Sequence, residues 1–190
     1  DTVYLANYYG NKLMYNDTAI ADAKGKVVFA KKRGYRAGVY AVVIPGPRYF
    51  EFLVNEPVVV MNSDTADLGA KLVVVNSPEN QVFMDYVRYI NAQRKEADAV
   101  QKEREATLDP IKKSALKERL VGYEKAIRAY QEELIAEHPG TFVATIVRMS
   151  MSPEEKEVHK ADGTLDSAGT YYRFRAHFWD NTDLTDERIL

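Results

Sequence analysis

Lys71-Leu72-Val73-Val74-Val75-Asn76-Ser77-Pro78-Glu79 is where the chain changes character. Lys71 to Val75 is short, apolar and β-branched, which suits a strand. Ser77, Pro78 and Glu79 then supply a hydroxyl cap, a proline at the first helical position and an acid in the first turn. Together they mark the start of a helix.

Upstream of this junction the chain reads as short strands and turns. Val3 to Asn7 precedes a turn at Tyr8-Tyr9-Gly10-Asn11, and Lys12 to Ala21 forms a second run. Asp22-Ala23-Lys24-Gly25 is a hairpin-like turn before Val27 to Ala30. Gly38 to Ile44 is apolar throughout, so it should be central. Pro45-Gly46-Pro47 fixes a bend. Tyr49 to Val54, Val58 to Asn62 and Lys71 to Val75 follow. Strands of this spacing predict an antiparallel sandwich or barrel over residues 1–76.

Downstream, residues 77–190 read as helical. Pro78 to about Leu108 keeps Phe83, Val87, Ile90 and Ala97 on one face. Asp109-Pro110 repeats the start signal. Leu116, Leu120, Tyr123, Ile127, Tyr130 and Leu134 then recur in steps of four and three, a heptad-type seam. At about 1.5 Å per residue each helix spans roughly 40 Å, and the pair is expected to form a long antiparallel hairpin. His138-Pro139-Gly140 ends it. Thr141 to Met151 is a shorter, more buried helix, and Ser152-Pro153-Glu154-Glu155 opens another helical turn. Tyr171 to Trp179 fits a strand by alternation and a helix by the spacing of Tyr171, Phe174 and Phe178. Its helical neighbours favour helix. The expected class is therefore α+β. The ends, Thr2–Ala6 and the cap-like Asp183–Leu190, read as structured sequence cut short, as in a fragment or processed chain.

Composition narrows the chemistry. Net charge is −2, with 26 basic and 28 acidic residues, so nothing global draws the chain to nucleic acid. No apolar run approaches the roughly 20 residues of a transmembrane helix. There is no cysteine among the 190 residues, which removes disulfides, thiolate nucleophiles and thiolate metal sites together. His138, His159 and His177 form no close pair on a helix face, so structural or solvent-facing roles are expected and no metal site is assigned. Asp180, Asn181, Asp183 and Asp186 lack the glycine and glutamate spacing of a calcium loop, and helix capping by Asp183 or Thr185 is the better account. No nucleophile elbow, phosphate-binding glycine loop or convergent carboxylate pair stands out, so no catalytic residue and no cofactor is assigned.

The tyrosines carry more information. Of 13, several occur in the β region. Tyr8, Tyr9, Tyr35 and Tyr49 lie in or beside turns, where an aromatic ring with a polar tip suits a recognition surface. Tyr4, Tyr15 and Tyr40 fit a half-buried pleated surface better. The basic loop Lys31-Lys32-Arg33 with Arg36 reads as a solubilising or edge-blunting feature.

Several segments resemble a known arrangement. Val3-Tyr4-Leu5-Ala6-Asn7-Tyr8-Tyr9-Gly10, Asp17-Thr18-Ala19, the turn at Gly25, Gly38-Val39-Tyr40 and Tyr49-Phe50-Glu51-Phe52-Leu53-Val54 resemble an uncharacterised N-terminal domain. That domain precedes thioredoxin-like domains in cell-envelope proteins of Bacteroidota. The helical remainder resembles a second such region, with His177-Phe178-Trp179-Asp180-Asn181-Thr182-Asp183-Leu184-Thr185-Asp186-Glu187-Arg188-Ile189-Leu190 as its landmark. The resemblance implies export to the periplasm or outer membrane, often as a lipoprotein, and a downstream thioredoxin-like domain of the TlpA or ResA kind. This sequence has no cysteine pair, and disulfide exchange needs a thiolate, so no redox residue carries over. The expectation is a non-enzymatic accessory region for positioning, partner recognition or oligomerisation, with a protein substrate or a homodimer as further partners. The alternative is an independent peptide- or glycan-binding module using loop aromatics.

Overall fold

A computed structural model describes residues 1–9, 12–46, 48–153 and 156–189. Its elements run β1 (Thr2–Tyr9), β2 (Lys12–Ile20), β3 (Gly38–Ile44), β4 (Arg48–Val54), β5 (Met61–Asn62), β6 (Val73–Val74), α1 (Pro78–Ala106), α2 (Pro110–Glu137), α3 (Phe142–Ser150) and α4 (Ser167–His177). A short 3-10 turn, Glu187–Ile189, follows. This is an α+β chain, as expected. Its antiparallel β region takes the form of a four-stranded sheet, ordered β2-β1-β3-β4, and a two-stranded ribbon of β5 and β6. The chain divides into two compact units, Asp1–Ala92 with Asp186–Leu190, and Gln93–Thr185. The change from strand to helix comes where residues 76 and 77 placed it, at the start of α1; the division between units falls later, within that helix.

In the first unit, register decides which side chains share a face. Ala6 pairs with Ala41, and Ala41 with Glu51. Because side chains alternate along a strand, Ala6, Ala41, Val43 and Leu53 fall on one face, with Val3, Leu5, Tyr40 and Phe52 on the other. All eight are buried, so both faces are covered. A bulge between Leu5 and Ala6 leaves Asn16 without a partner on β1, and its side chain bonds Asn7 Oδ1 at 2.6 Å.

Some expected strands are corrected. The turn at Asp22–Gly25 forms, with Gly25 at φ +79° and Asp22 Oδ1 accepting from the amides of Lys24 and Lys26. Val27 to Ala30 nevertheless joins no sheet. This is so although β2, the strand before the turn, lies at the edge of the sheet and has one side unpaired. Val58 to Asn62 and Lys71 to Val75 shrink to the two-residue β5 and β6.

The helix starts form where the caps are. Asp109 accepts from the amides of Ile111 and Lys112, with Pro110 at the first position. Thr141 accepts from Ala144 at 3.3 Å. In the second unit Lys112 Nζ meets Glu103 Oε1 at 2.9 Å beside the turn joining α1 to α2. The expected seam from Leu116 to Leu134 is buried or half-buried within the chain itself. α3 packs on α2 through Phe142, Val143 and Val147, all almost fully buried. The stretch Tyr171–Trp179 is helical up to His177, the choice its neighbours favoured. Glu154 and Glu155 of the expected turn at 152–155 lie outside the described residues.

One contact ties α1 to the sheet. Asn80, 1% exposed, sits in the first turn of α1. Its Oδ1 accepts from Leu53 N at 2.7 Å and its Nδ2 donates to Leu53 O at 2.8 Å. Nδ2 also donates to Ser77 Oγ, and the Ser77 hydroxyl in turn donates to Glu56. The side-chain amide thus supplies one donor and one acceptor, as a neighbouring strand would. Asn80→Ala should leave both Leu53 groups buried and unmet, destabilising the protein by about 3 kcal/mol. Urea unfolding measures it; a loss under about 0.5 kcal/mol would contradict this reading.

Candidate recognition site

Of the four turn tyrosines, the structure brings two together. Tyr8 lies two residues beyond Ala6, and Tyr49 two before Glu51, so both share the face carrying Ala41. The Tyr8 hydroxyl reaches across β3 and donates to Glu51 Oε1. That hydrogen bond to a carboxylate, with desolvation, raises the Tyr8 pKa above the usual tyrosine value. Tyr49 is 50% exposed. It forms a wall common to two adjacent hollows. One, of about 370 Å³, is bounded by Arg48 and the loop Ala66–Gly69. The other, of about 560 Å³, runs between β4 and the start of α1, with Glu51, Leu72, Phe83, Met84 and Val87 along it. Both hollows are open to solvent and not enclosed.

Tyr35 is elsewhere. Its hydroxyl donates to Asp17 Oδ2, and its ring meets Tyr40 edge-on at 6.0 Å. Asp17 pairs with Leu5, so this cluster lies on the opposite face from Tyr8 and Tyr49. Lys31 Nζ stands 4.8 Å from the Tyr35 ring centroid, which gives one member of the basic loop a packing role. Burial first, then the Asp17 bond, pushes the Tyr35 pKa up, and the same bond is the main reason Asp17 is held low. Tyr9 pairs with Lys12 at the end of β1, and its side chain lies outside the described residues.

Sequence reasoning missed Glu51 in this site and a further aromatic pair on the same face. Glu51 carries the bond that fixes Tyr8, and no local pattern marks it. Tyr15, 63% exposed, meets Tyr4 edge-on at 5.3 Å on the same face as Tyr8 and Tyr49. The period-two position of Tyr4, Ala6 and Tyr8 was the available signal.

His177 and Asp183, singled out in the sequence, have local partners. His177 Nδ1 lies 2.7 Å from Asp180 Oδ2. Asp183 accepts from the amide and hydroxyl of Thr185 in a local turn and caps no helix; the 3-10 turn Glu187–Ile189 is capped by Asp186, whose Oδ1 accepts from Arg188 N. Among the described residues no three His, Asp or Glu side chains gather as a metal ion requires, and no helix is long and apolar enough to cross a membrane. No family model, curated protein or solved structure matches the chain.

The two hydrogen-bonded tyrosines give a pH signature. Each binds its proton more tightly folded than unfolded, so their contribution is complete below about pH 10 and is lost as pH rises through the folded pKa. Stability should therefore fall above about pH 10, and Tyr8→Phe with Tyr35→Phe should flatten that fall. Denaturant midpoints across alkaline pH measure it; an unchanged slope in the double variant would refute it.

Proposed function

We propose that this chain is a non-catalytic accessory region of an exported thioredoxin-like thiol–disulfide oxidoreductase. It works by positioning the redox domain or holding a partner protein. The observation that carries this is a half-exposed tyrosine, Tyr49, standing between two hollows in a polypeptide without a thiol. An aromatic ring fixed on a sheet offers contact area at little entropic cost, which suits recognition. The resemblance of the strand and C-terminal segments supplies the redox partner and the location in the cell envelope, as a periplasmic or lipid-anchored protein. An independent peptide- or glycan-binding module is the second reading, favoured by the same ring, since sugars also stack on exposed aromatics.

The two readings separate in one titration. The isotope-labelled chain is mixed in turn with a TlpA-type thioredoxin-like domain, reduced and carboxymethylated ribonuclease as an unfolded polypeptide, and a chitooligosaccharide. The accessory reading expects amide shifts with the redox domain; the independent module expects them with the polypeptide or the sugar and none with the redox domain. Shifts with the sugar alone would overturn it in favour of the glycan module.

A further inference from the structure

β4 is an edge strand, and its outward backbone groups can be assigned. Leu53 turns its N–H and C=O to Asn80, away from β3. In an antiparallel ladder alternate residues face the same way, so Glu51 and Tyr49 also point theirs outward. Among the described residues no group accepts from or donates to them. They open onto the cleft whose far wall is Leu72 and, from the first turns of α1, Phe83, Met84 and Val87.

We infer that this cleft binds an extended segment of a partner protein, added to β4 as a further strand. Donors and acceptors at alternate residues, roughly 7 Å apart along a strand, are the pattern another backbone matches. Asn80 already plays a neighbouring strand's part at Leu53, so an incoming segment continues the row that this amide begins. On that wall Leu72, Phe83 and Met84 are almost fully buried, and half-buried Val87 is left to meet a side chain of the segment. Charge selects among segments: Glu51 Oε1 accepts from Tyr8, while Oε2 has no partner among the described residues. A lysine or arginine opposite Glu51 on the added strand projects to the same face and meets that carboxylate. The wanted ligand is an extended peptide with a basic residue set among apolar ones. It rests on the recognition reading above, and names the partner's form without needing the redox domain.

The probe is a short peptide alternating valine with lysine, compared with the same peptide N-methylated at alternate amides. The plain peptide should shift the Tyr49 and Glu51 amides and slow their exchange. The methylated one, with its side chains intact, should bind about tenfold more weakly or worse. Glu51→Lys should weaken the lysine peptide about fivefold and favour a glutamate peptide by a similar factor, its amide spectrum reporting the fold. The methylated comparison needs no variant, so it decides even if Glu51→Lys unfolds. Equal binding of both peptides, or shifts away from β4, overturns the proposal. Shifts with the redox domain, together with peptide binding elsewhere on the chain, would sink this site and spare the accessory reading. Peptide binding at β4 with no response to the redox domain or to ribonuclease would do the reverse.

Discussion

A single side-chain amide, from the first turn of α1, hydrogen-bonds both backbone groups of Leu53 on β4. Strand edges are hazardous because their unpaired groups template association. Here the hazard is closed at one residue by Asn80 and left open at the next two outward positions. The same contact fixes where α1 begins relative to the strand, because Asn80 and its cap Ser77 share a hydrogen-bonded cluster with Glu56. The cleft follows from that placement. Its wall of Phe83, Met84 and Val87 stands opposite Tyr49 and Glu51 because the helix starts at Ser77 and not a turn later.

Local chemistry made the helix boundaries legible. A cap is a side chain bonding to an amide two or three residues away, so Ser77, Asp109 and Thr141 announce their helices without reference to the rest of the chain. Strand pairing has no such locality. Val27 and Phe29 are half-buried and Val28 and Ala30 exposed, the alternation of a strand, yet the segment joins no ladder even though β2 before it is an edge strand. Periodicity reports burial, and burial alone does not guarantee a partner.

The site was legible in kind and not in composition. Turn tyrosines did include an exposed one, Tyr49. Their grouping depended on parity along strands far apart in sequence: Tyr8 and Glu51 are separated by 43 residues and meet only through the register of β3 between them. Parity also sends Tyr35 to the other face, where it bonds Asp17 and packs on Tyr40. Two tyrosines with equal claims by sequence thus acquire different work, one set beside a cleft and one bracing a loop.

Such a division bears on how a chain without thiols could still be specific. Side chains alone give this surface modest discrimination, since exposed tyrosines tolerate many partners. A backbone edge adds direction and register, because an added strand must match donors to acceptors, and a one-residue slip turns every side chain to the wrong face. Glu51 then fixes which register is favoured, its carboxylate held in place by Tyr8 from two strands away. The tyrosine hydroxyl orients an acid, the acid selects a cation on the segment, and the open amides of β4 hold that segment straight enough for the selection to count.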